Sequence, residues 1–408
     1  MRSAVRRFGG AVRCPRVLAA VAAVLALLVA TGCAESGRES AVPRGEVVSV
    51  EPLKSLSQPE TAAYLGRWSI ETPVRNGVEA YRVVYRTVDP HGDPITASGL
   101  VALPTTEQHR LRVVSYAHGT IVRRDEAPSA DSETDRVRTL MFAAAGHAAV
   151  APDYLGLGSG PGRHPYLHAG AEASASLDLL RAARAVAADK GRELGPEVLV
   201  TGYSQGGHAA AALARALHDR PGDFTLGALS AISGPYAPRA VQNPASFDGR
   251  VTPRNAVVFL TYWITAMNTI FHLYDDPAEA FREPYAARVG DLFDGDHDLL
   301  SISGSLPAAP ADLLTPEFRA WADDPTGAAL RALDASEGVC DWTADVPVRL
   351  SVSSADRSVP PENADHCLRT LRGDRVERVD LGPIDHGATA RVGLALTLEW
   401  FDQLTAAH

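Results

Sequence analysis

Lysine is nearly missing from this 408-residue sequence, occurring only at Lys54 and Lys190. The remaining base is arginine, a bias that fits GC-rich coding rather than a function. Base is also outnumbered, 39 residues against 49 acidic ones, for a formal charge of −10. A chain of that sign lacks the basic footprint of a nucleic-acid binder, so nucleic acid is not an expected partner. Cysteine occurs four times, which excludes a disulfide-dense scaffold; with 46% hydrophobic residues the chain can build its own core. Apolar runs are short. Val17–Ala30 is uncharged over 14 residues, below the roughly 20 that a membrane-spanning helix needs. Asn255–Phe271 is also uncharged, but Thr and Asn interrupt it, and a buried or substrate-facing helix is expected there rather than a span.

The N-terminus reads as an address. Residues 1–32 hold Arg2, Arg6, Arg7, Arg13 and Arg16 and no acid, followed by the apolar run. That order is the n-region and h-region of a signal peptide. Thr31-Gly32-Cys33 then resembles the lipobox of bacterial lipoproteins, in which the cysteine is acylated. The expectation is therefore an exported protein, extracellular or held at the cell membrane by a lipid on Cys33. Its mature charge would be nearer −15 once the five arginines are removed. In an oxidising compartment Cys340 and Cys367 remain as one possible disulfide, worth roughly 3 kcal/mol by loop entropy.

Residues 33–60 are polar and weakly periodic and read as a tether. Beyond them strands and helices alternate. Strands are expected at Ala80–Thr87, Ile95–Leu103, Leu111–Tyr116, His147–Ala151, Glu197–Thr201, Leu226–Ile232, Val346–Val352 and Arg375–Leu381. Several are unbroken apolar runs, as in strands buried on both faces of a mainly parallel sheet. Helices are expected at Asp135–Ala145, Ala169–Ala188, Gln205–Asp219 and Ala388–Leu404. Such alternation implies an α/β fold with a parallel central sheet flanked by helices. Residues 236–340 break the rhythm with helical patterns only, and read as an inserted α-helical cap. The sheet domain would then comprise 61–235 and 341–408.

Gly202-Tyr-Ser-Gln-Gly206 is a G-x-S-x-G pentapeptide between a predicted strand and an Ala-rich predicted helix. A strand-to-helix turn of this kind exposes a serine as a nucleophile, here Ser204. Its base and the base's orienting acid should follow in chain order. His386, in Leu381-Gly-Pro-Ile-Asp-His-Gly387, lies after the last strand and is the best-placed base; His366 competes. His208 and His218 fall on the helix after the turn, His272 and His297 in the cap, and His408 at the end. Asp356, in Ser353-Ser-Ala-Asp-Arg-Ser-Val-Pro360, follows the penultimate strand and is the expected acid, with Asp365 and Asp385 as rivals. An oxyanion needs two backbone N–H donors. Gln205 is expected to supply one, and Thr120, or else Gly119, the other, from Val113-Val-Ser-Tyr-Ala-His-Gly-Thr120. His118 is expected to be structural, and Pro152-Asp-Tyr-Leu-Gly-Leu-Gly158 a rigid loop at the same sheet edge. Asp294-Gly-Asp-His-Asp298 has a trace of a calcium loop, but Ser305 stands where the closing Glu belongs, and a solvated turn is expected.

Ser204, Asp356 and His386 in that order, with the Asp-Tyr-Leu-Gly-Leu-Gly loop and a helical block before the acid strand, resemble the α/β-hydrolase superfamily. Within it the sequence is most similar to the secretory lipase family, the lipase A-type group, over about residues 75–405. The resemblance implies a serine esterase or lipase with a cap over the acyl site, acting on a small-molecule or lipid ester, with no metal or organic cofactor. Two other readings stay open: a peptidase or amidase on the same fold, with Asp275-Asp276 or Asp323-Asp324 to hold a free amine, and a lipoprotein that binds without catalysis.

Overall fold

A computed structural model describes residues 43–406. Cys33, the signal-like segment 1–32 and His408 lie outside the described residues. The strands are β1 (Val47–Leu56), β2 (Gly77–Val88), β3 (Pro94–Thr105), β4 (Arg110–Ala117), β5 (Ala148–Pro152), β6 (Glu193–Tyr203), β7 (Thr225–Ile232), β8 (Val348–Val352) and β9 (Val376–Asp380). They form one sheet in the order β1-β2-β3-β5-β4-β6-β7-β8-β9. The β1-β2-β3-β5 pairings are antiparallel and all pairings from β5 through β4 to β9 are parallel.

Helices in chain order are α1 (Gln58–Arg67), α2 (Thr134–Ala144), α3 (Ala169–Asp189), α4 (Gln205–Asp219), α5 (Asn243–Asp248), α6 (Pro253–Phe271), α7 (Pro277–Ala280), α8 (Ala286–Leu292), α9 (Leu299–Ser305), α10 (Pro316–Asp323), α11 (Gly327–Asp334), α12 (Glu362–Thr370) and α13 (His386–Ala406). The central parallel strands are apolar because both their faces are covered: β5 is buried at every position. One core layer joins the sheet to Ala- and Leu-rich faces of α3 and α4, and a second joins it to α1, α2 and α13. Small side chains set the close approach of α4. A Cβ on Gly207 would meet the Ile232 carbonyl oxygen of β7 at 2.8 Å.

Between β7 and β8 the chain is helical, apart from one bridge between Phe281 and Leu314. This block has its own apolar cluster, centred on α6 and including Val257, Tyr262, Phe281, Leu292 and Ile302. Thr252 precedes Pro253 at the start of α6, a placement that spares a backbone N–H already without an intrahelical acceptor. Among the described residues no helix is long and apolar enough to cross a membrane. Cys340 and Cys367 are bonded, with a Cα–Cα distance of 5.3 Å, joining the end of the helical block to α12.

The expected tether at 33–60 is corrected over its second half, where residues 47–56 form edge strand β1 and 58–60 begin α1. β1 is largely exposed and carries Pro52, so it has none of the alternation that reveals a half-buried strand. α1 did leave a mark. Ser57 and Glu60 form a reciprocal capping box, the S-x-x-E signature of a helix start.

Candidate active site

The site begins with a strained turn. β6 ends at Tyr203, and α4 starts at Gln205. Ser204, between them, has φ 58° and ψ −124°, a conformation that costs a non-glycine residue of order 1–3 kcal/mol and is held by its surroundings. Its N–H donates to the Ile232 carbonyl at 2.9 Å, tying the turn to β7. Both flanking glycines are sterically required. A Cβ on Gly202 would lie 2.0 Å from the Gly206 carbonyl oxygen, and one on Gly206 would lie 1.9 Å from the Ala117 carbonyl oxygen.

The loops after β8 and β9 bring two more side chains to this serine. His386, the first residue of α13, has Nε2 2.9 Å from Ser204 Oγ. Its Nδ1 lies 2.6 Å from Asp356 Oδ2. The other carboxylate oxygen of Asp356 accepts the backbone N–H groups of Ser358 and Val359, each at 2.9 Å. That leaves Oδ2 of Asp356 for the imidazole and favours the Nδ1–H tautomer, with Nε2 free to accept from Ser204. Ser204 is 6% exposed, and the side chains of Asp356 and His386 are 1% and 15% exposed. The series runs from a dry carboxylate to an imidazole edge open to solvent. Tyr203 lays its ring against His386 with centroids 4.9 Å apart.

The rival residues fall elsewhere. Asp385 Oδ1 accepts the Ala388 N–H at 3.0 Å and caps α13. Asp365 pairs with Arg378 at 3.0 Å, and His366 sits beside it on α12. His218 packs on Trp342, His272 ends α6, and His297 bonds Asp294 in an exposed turn. Asp298, from the calcium-like run, caps α9 through the Ser301 N–H, and no group of acids, His or Cys among the described residues is placed to hold a metal ion. His118 is fully buried, with Nδ1 2.7 Å from the Gly119 carbonyl oxygen.

The expected oxyanion donors come from the start of α4 and from the loop after β4. Gln205 is the first residue of α4, so its N–H has no intrahelical acceptor. In the loop after β4, Gly119 packs on Tyr203: a Cβ there would be 3.0 Å from the ring. The hydroxyls of Thr120 and Tyr166 are hydrogen-bonded at 2.9 Å, anchoring the loop after β4. Tyr166 in turn stacks on Tyr262 of α6, centroids 4.3 Å apart and planes within 2°.

Beneath Gln205 lies a buried polar network that sequence reasoning missed. Gln205 Nε2 donates to Glu172 Oε1 at 3.0 Å and to His164 Nε2 at 2.7 Å. His164 donates from Nδ1 to the Leu155 carbonyl at 2.9 Å. It is therefore neutral, and burial, opposed by its hydrogen bonds, lowers its pKa to about 3. His208 has both ring nitrogens on acceptors, Glu172 Oε2 at 2.7 Å and the Ser336 carbonyl at 2.9 Å. That geometry requires an imidazolium. Burial pulls its pKa down, but the charge and hydrogen bond of Glu172 and the Ser336 carbonyl outweigh burial and raise it above 6.5. No spacing rule marks these residues. A Glu within an Ala-rich helix and a His two residues after the pentapeptide carried the only signal, polar residues on faces that the pattern assigns to the core.

A cavity of about 40 Å³ lies at Ser204, lined by Tyr166 and Leu167, by Phe259, Leu260 and Trp263 of α6, and by the polar Gln242, Asn243 and Ser246. Phe259 and Trp263 are one helical turn apart and share the face that looks onto the serine.

This combination of sheet order, strained serine turn and acid and histidine loops defines an α/β-hydrolase fold, and the chain is an α/β-hydrolase-fold protein. It is similar to the rice cell wall degrading esterase LipA of Xanthomonas oryzae, at TM-score 0.80 and 27% identity over 88% of this chain and 99% of that one. A Legionella pneumophila protein matches at TM-score 0.81 and 26% identity, covering 88% and 98%. Lipase A of Candida antarctica in its closed state matches at TM-score 0.65 and 14% identity, covering 90% and 84%, a likeness of fold alone. No protein-family model matches the sequence, and none of the curated proteins compared with it does so either. The fold and these neighbours support a hydrolase.

Proposed function

We propose that the protein is a carboxylic-ester hydrolase that works through an acyl-enzyme on Ser204. The observation that carries this reading is the continuous hydrogen-bonded chain Ser204–His386–Asp356, at 2.9 and 2.6 Å. As the ester carbonyl is attacked, Ser204 Oγ passes its proton to His386 Nε2, and the buried Asp356 carboxylate stabilises the imidazolium. The negative oxygen of the tetrahedral intermediate is held by the N–H of Gln205, aided by the N-terminal dipole of α4, and by an N–H of the Gly119–Thr120 loop. His386 returns the proton to the leaving alcohol, then takes one from water, whose oxygen releases the acid.

The lining of the serine cavity favours an ester over a peptide with a free amine. No acidic side chain lines it among the described residues. The paired acids are occupied elsewhere: Asp276 caps α7, and Asp323 pairs with Arg319. Purified protein given p-nitrophenyl esters and aminoacyl-nitroanilides should cleave the esters, and a fluorophosphonate should label wild type but not Ser204→Ala. Preference for the anilides would overturn the reading. Export and acylation of Cys33 form the second part of the proposal. Cys33→Ala should release the protein from membranes, and unchanged retention would exclude the anchor.

A further inference from the structure

We propose that this enzyme is a short-chain esterase, taking acyl groups of about two to four carbons, and that Trp263 is the residue that sets the limit. The inference rests on the ester-hydrolase reading above and specifies its substrate class. The cavity at Ser204 measures about 40 Å³. On a scale where one water needs roughly 10–15 Å³, it holds about three heavy atoms in all.

What closes the cavity is fixed from behind. Trp263 lines it, and its indole N–H donates to Ser336 Oγ at 3.1 Å. Ser336 is fully buried, and its carbonyl accepts from the His208 imidazolium at 2.9 Å. His208 is in turn paired with the buried Glu172 at 2.7 Å. An aromatic wall bonded to a buried residue that is itself bonded to an ion pair is restrained, because displacing it breaks the bond from the indole N–H to Ser336 Oγ. The facing wall is equally restrained. Tyr166 is stacked on Tyr262 and bonded to Thr120. Leu260, between Phe259 and Trp263, completes an apolar end wall. The α6 side of the pocket thus suits an apolar acyl group, which accords with an ester substrate, and its small volume favours a short one.

The test is a chain-length profile, kcat/KM on p-nitrophenyl acetate, butanoate, octanoate and laurate, for wild type, Trp263→Ala and Ser336→Ala. A pocket that refuses additional methylenes discriminates by about 10–200-fold. Wild type should fall by at least about tenfold from butanoate to octanoate. Trp263→Ala should raise the octanoate-to-acetate ratio by about tenfold or more, and Ser336→Ala, which frees the indole, should raise it by a smaller factor. Wild-type activity on octanoate and laurate equal to that on acetate would overturn the proposal, as would an unchanged ratio in a folded Trp263→Ala protein. If that variant does not fold, the wild-type profile and Ser336→Ala decide. Fluorophosphonate labelling and acetate turnover report the ester-hydrolase reading independently: an enzyme active on acetate with a flat profile refutes the chain-length limit alone, whereas no labelling of Ser204 and no ester turnover refutes the reading beneath it.

Discussion

Gly202 and Gly206 stand in such close apposition that a Cβ on Gly202 would sit 2.0 Å from the Gly206 carbonyl oxygen. The atom it would strike is backbone at the first turn of α4, so no side-chain rotation relieves the clash. The predicted result for Gly202→Ala is displacement of α4 from β6, which moves Ser204 away from His386. Activity on p-nitrophenyl acetate should drop by at least about 100-fold, and a loss of stability of about 1–3 kcal/mol from overpacking should appear in urea unfolding. Gly92→Ala is a control for clash, with nothing within 4 Å of its Cβ. Its positive φ confines the effect to backbone strain, and its activity should stay near wild type.

Asp356 and the two rival carboxylates make a second, discriminating set. Asp356 alone touches the imidazole, at 2.6 Å. Asp356→Asn preserves shape but offers Nδ1 an N–H donor or a neutral oxygen, so the tautomer that accepts from Ser204 is no longer favoured. The expected loss in kcat is about 10³–10⁴-fold, with KM little changed. Asp365→Asn loses an exposed pair with Arg378, worth about 0–1 kcal/mol, and Asp385→Asn retains a cap; both should keep kcat within about threefold. Steady-state kinetics on one ester ranks the three.

The contrast among these carboxylates also indicates what a sequence can reveal. The pentapeptide and the positions of Asp356 and His386 after β8 and β9 follow from chain order, because in a parallel sheet every strand ends at the same edge. The buried strands were visible as apolar runs for the same reason. β1 was hidden because an exposed edge strand has no face to bury, and α1 because its capping box sits in a polar context. The Glu172–His208–Gln205 network was hidden for a deeper cause. It joins α3 to α4 and to Ser336, contacts separated by 33 to 128 residues that no local period encodes. Cavity size is likewise a property of packing, which the uncharged cap run that holds Tyr262 and Trp263 does not encode.

Reduction of the Cys340–Cys367 bond should cost stability before it costs chemistry. The bond spans 27 residues of sequence, and loop entropy gives it about 3 kcal/mol. It closes a segment that contains β8 and the Asp356 loop, and both sulfur-bearing residues are buried. The double variant Cys340→Ala/Cys367→Ala should unfold at lower urea concentration and lower temperature than wild type, while kcat on acetate at 25 °C stays within about threefold. Reductant should shift the wild-type midpoint the same way and leave the variant unmoved. A midpoint insensitive to reductant in both proteins would contradict the assignment.

The two buried histidines beside Gln205 give the fold opposite pH dependences. His164 is neutral, with its pKa held at about 3, so between pH 6.5 and 3 the unfolded chain binds a proton that the native state refuses. Stability therefore rises with pH across that window, by up to about 1.4 kcal/mol per pH unit from this one group. His208 is the reverse case. Its native pKa lies above 6.5, so its contribution is complete below 6.5 and is lost as pH rises through the native value. Protonating His164 would also turn Nε2 from an acceptor into a donor facing the Gln205 amide, and so disturb the residue proposed to serve the oxyanion. His164→Gln should flatten the acid-side slope in urea midpoints measured from pH 4 to 9 and leave the alkaline fall intact. His208→Gln should remove the alkaline fall, at a stability cost of about 3–5 kcal/mol for stranding the Glu172 carboxylate. Parallel slopes in His164→Gln and wild type below pH 6.5 would show that other groups govern the acid limb.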